Sequence, residues 1–247
     1  MKIRICLIVT AQMLISSCIF SQDLSGIIKY TVAHDWNKKQ ESNEFISKAQ
    51  KEQSAYVWGT DNIYNGYANL KFSSEASIYE NIDDQEDVGY TWRSDEYSIY
   101  RNRKENRMYD VIRTLNRLYV IDDTVRYQNW KIKNDMKEVA GHICMNAYYR
   151  DTIKDKDIIA WFALDMPLPY GPDIYGGLPG MILEVNMNNG AVVITATEIT
   201  FSETKVEKPT HKKKNKAVSE AEFTQIIYKF VQESKKNKRP YFYSISY

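Results

Sequence analysis

Tyr170-Gly171-Pro172-Asp173-Ile174-Tyr175-Gly176-Gly177-Leu178-Pro179-Gly180-Met181-Ile182-Leu183-Glu184 is the stretch on which the reading of this chain turns. Four of the chain's ten glycines and two of its six prolines fall inside it, and Pro167 and Pro169 lie just upstream. Proline locks φ, and glycine permits positive φ or close approach of backbone to backbone, so these residues prescribe a stiff, shaped path. The path runs straight into an apolar strand. The loop part of the stretch, residues 170–180, offers one acidic side chain, Asp173, and no nucleophile. It reads as a loop that covers a sheet edge, or the mouth of a curved sheet, and hides backbone groups that would otherwise pair with another chain.

Downstream of the loop comes the clearest hairpin. Met181–Asn188 and Ala191–Phe201 are rich in Val, Ile and Thr and flank Asn189-Gly190, the preferred two-residue type I′ turn. Upstream, Ile158–Leu164 is a short, wholly apolar strand, entered through a hairpin turn at Lys154-Asp155-Lys156-Asp157. Further strands are expected at Ser25–His34, Ala68–Tyr79, Tyr97–Arg101, Arg107–Arg113, Arg117–Ile121, Gln128–Lys133 and His142–Arg150. Asn106, Asp122-Asp123 and Asn134-Asp135 mark turns. Asn37–Ser54 is polar and fits a surface helix or a loop. Glu80–Asp87 is an acidic connection, and 211–216 is a basic patch within a linker.

Near the C-terminus, Ser219 and Glu222 have capping-box spacing. Phe223, Ile226, Ile227, Phe230 and Val231 then form one apolar helical stripe. Pro240 stops the helix, and Tyr241, Tyr243, Ile245 and Tyr247 alternate as a last strand. The fold class is mainly β (α+β): a single curved antiparallel sheet or partly closed barrel, with one C-terminal helix packed on it.

Residues 1–21 read as a signal peptide and 22–247 as a single domain. Lys2 and Arg4 precede the apolar run Ile5–Phe20, which is short and followed by no stop-transfer pattern. Cleavage after Ser21 leaves Gln22 first; the alternative is a lipobox at Ile15-Ser16-Ser17-Cys18, with a lipid anchor on Cys18. Export to the periplasm, the outer membrane or the medium follows. Without residues 1–21 the chain has 31 basic and 32 acidic residues, a net charge of −1, which argues against a general nucleic-acid binder. No later segment is apolar enough to span a bilayer. Only Cys144 then remains of three cysteines, so no intrachain disulfide can form.

Chemistry has few footholds. His142 and Cys144 alternate on a strand and share a face, which would suit a thiolate pair, but Ile143 and Met145 make the site look like core. Asp165 and Glu184 flank the loop and would serve acid–base work only if they converge; the plainer expectation is that Asp165 accepts backbone bonds and Glu184 faces solvent. His34, His142 and His211 are scattered, so no catalytic set, metal site or cofactor is expected. The candidate ligand or partner surface is Trp161, Tyr170, Tyr175, Leu178, Pro179 and Met181. The favoured function is a non-enzymatic envelope module that binds an apolar ligand or an envelope partner. The alternatives are an assembly accessory of an outer-membrane complex, or a hydrolase using Cys144/His142 or Asp165/Glu184.

Trp161 to Val185 resembles the signature of the GLPGLI family, secreted proteins of Bacteroidota. Gly177-Leu178-Pro179-Gly180-Met181-Ile182 stands for the name motif, with methionine in place of the usual leucine. Gly141-His142-Ile143-Cys144 followed by Ala147, Ala160-Trp161, Pro167 and Gly171-Pro172 extend the likeness over residues 129–201. The resemblance implies export and a single domain, and brings no characterised activity. A second likeness, at the level of fold alone, is to the half-barrels of periplasmic lipoprotein carriers, which also place a Gly-x-Pro before a long hairpin.

Overall fold

The computed structural model describes residues 24–59, 63–82, 96–210, 217–242 and 244–245. The expected signal peptide with Cys18, most of the acidic connection, the basic patch, Tyr243 and Tyr247 lie outside these residues.

The first half of the chain forms β1 (Gly26–Asp35), α1 (Trp36–Glu41), α2 (Lys48–Trp58), β2 (Ile63–Phe72), β3 (Ala76–Ile82), β4 (Tyr97–Asn102), β5 (Arg107–Thr114) and β6 (Arg117–Thr124). The second half forms β7 (Lys131–Val139), β8 (His142–Asp151), β9 (Lys156–Ala163), β10 (Met181–Met187), β11 (Val192–Phe201), β12 (Ala217–Val218) and α3 (Glu220–Lys236). All described strands join one curved sheet in the order β12-β6-β5-β4-β3-β2-β1-β11-β10-β9-β8-β7. Every neighbouring pair is antiparallel except β12, which adds in parallel to β6 and makes the sheet mixed.

The topology explains the core. β1 pairs with both β2 and β11, so the N-terminal strand joins two halves made from distant parts of the chain. One cluster then runs through both halves, from Leu70, Phe72 and Ile99 to Phe162, Val185 and Ile194. The loop between β9 and β10 fills the space between them. Met166, Leu168, Tyr170, Tyr175 and Leu178 are all buried in that cluster. Each such side chain contributes roughly 1.5–3 kcal/mol on burial, so the loop is a large part of the core and not a cover over it.

Several local expectations are corrected. Ala68–Tyr79 is not one strand. Ser73 turns the chain by bonding to Ala76 through both backbone and hydroxyl, so β2 and β3 form a hairpin in which alternation continues on either side. Asn134-Asp135 is no turn; it lies in β7, where the register with β8 slips between Ile132 and Met136. The turn falls instead at Ala140-Gly141, both at positive φ. The β10–β11 connection is wider than a two-residue turn. Asn188, Asn189 and Gly190 all take positive φ, and Ala191 N–H donates to Met187 O at 3.0 Å. Asn37–Ser54 resolves into α1 and α2, each with a side-chain N-cap, Asp35 and Ser47.

α3 has the expected Ser219/Glu222 capping box. Its stripe packs Ile227 and Val231 against Tyr241 and Ile245, a satellite cluster at one end of the sheet. The described part of the expected last strand is therefore a turn segment tucked under α3.

Candidate functional site

The loop is held by its own backbone and by the segment before β7. Gly177 N–H donates to Pro169 O at 3.0 Å, Met181 N–H to Met166 O and Ile182 N–H to Tyr170 O at 2.9 Å each. Gln128 clamps the outer turn with its amide: Nε2 donates to Ile174 O at 3.1 Å, and Oε1 accepts from Gly176 N–H at 3.2 Å. Trp130 Nε1 donates to Gly176 O at 2.8 Å. Tyr30 Oη, from β1, donates to Ile182 O at 2.7 Å.

The loop's one acid, Asp173, is buried with positive φ and accepts from the Tyr97 hydroxyl. Next to it lies the buried pair Arg101–Asp110 across the β4–β5 hairpin. Burial pushes the Asp110 carboxyl up, and Arg101 beside it pulls it back down without fully compensating. Arg101, Ser77, Tyr127, Tyr170 and Asp173 line a narrow recess of about 250 Å³, open mouth included. Ligand pockets usually span ~300–1,000 Å³ of enclosed space, so this one suits water-sized guests. The Tyr170 hydroxyl is buried here, finds no hydrogen-bond partner among the described residues, and has its pKa pushed up by burial.

The six residues expected to form a binding surface are divided between the interior and the exterior of the fold. Tyr170, Tyr175, Leu178 and Met181 are buried; Trp161 is half-buried on the other face of β9, and Pro179 is exposed. Tyr170, Tyr175, Leu178 and Met181 belong to the cluster that fills the gap between the two halves of the sheet.

The residues weighed for chemistry gather around β8. His142 Nδ1 lies 2.7 Å from Asp165 Oδ2. Glu184 is buried, contrary to the plainer expectation that it faces solvent; its Oε1 accepts from Lys137 Nζ at 2.5 Å and its Oε2 from Thr195 at 3.4 Å. Asp165 and Glu184 thus have separate partners and do not act as a carboxylate pair. Lys137 also caps the Trp161 ring at 4.6 Å. Cys144 is fully buried, and its Sγ contacts the backbone oxygen of His142 at 3.6 Å. Burial first, then the charge of Asp165, pushes its thiol up to about 11. A thiol so placed is no nucleophile near neutral pH. Among the described residues no three His, Cys, Asp or Glu side chains are grouped to hold a metal, and no helix is long and apolar enough to cross a membrane.

The buried polar pairs Tyr97–Asp173 and Arg101–Asp110 carry no local sequence signature. Asp110 sits in a strand as any surface acid might. Asp173 alone gave a hint, as a carboxylate set amid glycine and proline.

A family model described as "Protein of unknown function (Porph_ging)" matches residues 149–184, from the end of β8 through the loop into β10. That match contains the motif on which the sequence resemblance rests. No curated protein matches the chain. Among solved structures, two crystal forms of PNGF-II are similar at 15% identity. The C2 form has a TM-score of 0.51 and the P21 form 0.49; each alignment covers 83% of this chain and 33% of the PNGF-II chain. The chain spans about a third of the length of that protein, and at this identity the likeness is one of fold.

Proposed function

We propose that this protein is an exported, non-enzymatic module of the cell envelope that meets a protein partner through its outer surface. The observation that supports this reading over an apolar-ligand carrier is the filled interior. Met166, Leu168, Tyr170, Tyr175 and Leu178 occupy the space a lipid-like guest would need. Export rests on Lys2, Arg4 and the apolar run Ile5–Phe20; the mass of the mature N-terminus decides between cleavage after Ser21 and a lipid on Cys18. The buried thiol and the separately bonded carboxylates speak against the hydrolase reading.

Four apolar side chains share one face near the β7 edge: Ile132, Met136, Ile143 and Leu164, each more than half exposed. The register explains the grouping, since Met136 pairs with Met145, and Met145 with Phe162, two residues from Leu164. Surface substitutions here alter stability by less than about 0.5 kcal/mol, so Met136→Lys/Ile143→Lys tests the surface without unfolding the protein. Cross-linking in intact envelopes should give a discrete partner adduct with the parent and lose it in the double variant. Equal capture by both proteins, or a stoichiometric lipid retained by the purified parent, would overturn the proposal.

A further inference from the structure

β7 ends the sheet, with β8 on one side and no strand beyond it among the described residues. Its sequence, KIKNDMKEV, is polar apart from Ile132, Met136 and Val139. Val139 is buried, whereas Met136 is 67% exposed. That exposure sets Met136 apart from the other described methionines. Met108, Met166, Met181 and Met187 are each at most 4% exposed. Met145 stands directly opposite Met136 on β8, half-buried and packed against the core. Met1 and Met13 lie outside the described residues.

The register puts Met136 within the apolar patch. Ile143 lies two residues before Met145 and so on the same face as Met136. Leu164 lies two residues beyond Phe162, which pairs with Met145. A methionine suits a docking surface because its unbranched thioether adapts to the shape it meets. The same exposure leaves the sulfur open to reagents.

A thioether reacts with a peroxide by direct attack. A sulfur lone pair bonds to one peroxide oxygen, the O–O bond breaks, and the second oxygen leaves and takes the proton of the first as water. Sulfur is oxidised by two electrons and the peroxide is reduced by two. The product sulfoxide is polar and chiral, and it disrupts methionine-rich interfaces. Attack needs an open approach to the sulfur, which the four buried methionines gain only when the fold opens. We propose that Met136 is a modification site for peroxide-type oxidants, and that its sulfoxide switches off the apolar patch at the β7 edge. The switch rests on the docking reading of that patch; the modification does not.

Peptide mapping of the purified protein during exposure to dilute hydrogen peroxide tests the modification. Trypsin cuts after Lys133, Lys137 and Arg150, so Met136 and Met145 fall in separate peptides. The Met136 peptide should gain one oxygen atom first and the Met145 peptide later. The four buried methionines should follow roughly a thousandfold or more slowly, since they wait on unfolding. Retention on a hydrophobic column should fall as Met136 is oxidised, and return after treatment with both methionine sulfoxide reductases, one for each epimer. Met136→Leu, whatever its own retention, should show no early change with peroxide. Cross-linking in intact envelopes should lose the partner adduct when the added protein carries the Met136 sulfoxide. Oxidation of Met136 no faster than Met145 would overturn the proposal. So would unchanged retention at full Met136 oxidation, an equal fall in Met136→Leu, or an equal adduct from the oxidised protein. An untreated parent that yields no adduct sinks the docking reading and the switch with it, while the modification stands or falls on the peptide map.

Discussion

Gly180→Ala should be among the most damaging single-methyl additions in this chain. A Cβ built at Gly180 would lie 2.0 Å from Ala163 O, 2.7 Å from Ala163 C and 3.2 Å from Leu164 N. All three are backbone atoms at the end of β9, so no rotamer change relieves the overlap. Relief needs the loop's exit to move from β9 by about an ångström, which strains the Met181–Ala163 pairing and the Met181 N–H to Met166 O bond. Overpacking costs ~1–3 kcal/mol where side chains yield; with a backbone obstacle and a disturbed ladder, about 3 kcal/mol or more is expected. For a domain of this size that lowers the unfolding midpoint by roughly 6–12 °C. Gly66→Ala is the control. It lies in β2, where nothing comes closer than 3.9 Å to the added Cβ, and the lost freedom of the unfolded chain should make it neutral or stabilising by up to about 1 kcal/mol. Urea unfolding followed by far-ultraviolet circular dichroism measures both. If Gly180→Ala matches Gly66→Ala within about 0.5 kcal/mol, the loop does not seat against β9 as described and the reasoning fails.

Arg101→Ala should cost about 3–5 kcal/mol, because it leaves Asp110 buried and unpaired, while Arg101→Met/Asp110→Leu should recover most of that loss in the same urea assay. Cys144 should resist alkylation in the native state at pH 8, and its thiolate absorbance should appear only near pH 11 in the folded protein but near 9 in the unfolded chain. The folded state then holds the extra proton between those values, so the contribution of up to about 3 kcal/mol is complete below pH 9 and lost as pH rises to 11; absorbance titration that tracks the unfolded chain would contradict the burial. Ser219→Ala should cost α3 about 1 kcal/mol through its capping box, seen as a lower midpoint without loss of the β signal.

Much of the strand order was legible because turn chemistry is local. Asn106 and the Val/Ile/Thr-rich hairpin at 181–201 announce themselves in a few residues. So does the Ser219/Glu222 cap. The failures have one cause: pairing is decided across the sheet. Ser73 turns a run whose alternation is uninterrupted. Asn134-Asp135 stays in β7 because β8 tolerates a bulge at the edge, where such irregularity blunts unwanted pairing. The Gly/Pro loop was legible as a shaped segment but not as core. Its burial depends on β1 joining the two halves, and nothing between residues 170 and 184 reports that. Glu184 was read as exposed since its partner Lys137 lies 47 residues away.

Native-state hydrogen exchange at the loop tests the account most directly. If residues 166–182 fill the centre of the fold, the amides of Gly177, Met181 and Ile182 should exchange only through global unfolding, with the protection of Phe162 and Val185 in the neighbouring strands. Exchange of those three amides orders of magnitude faster than the strands, as in a lid that opens on its own, would contradict it.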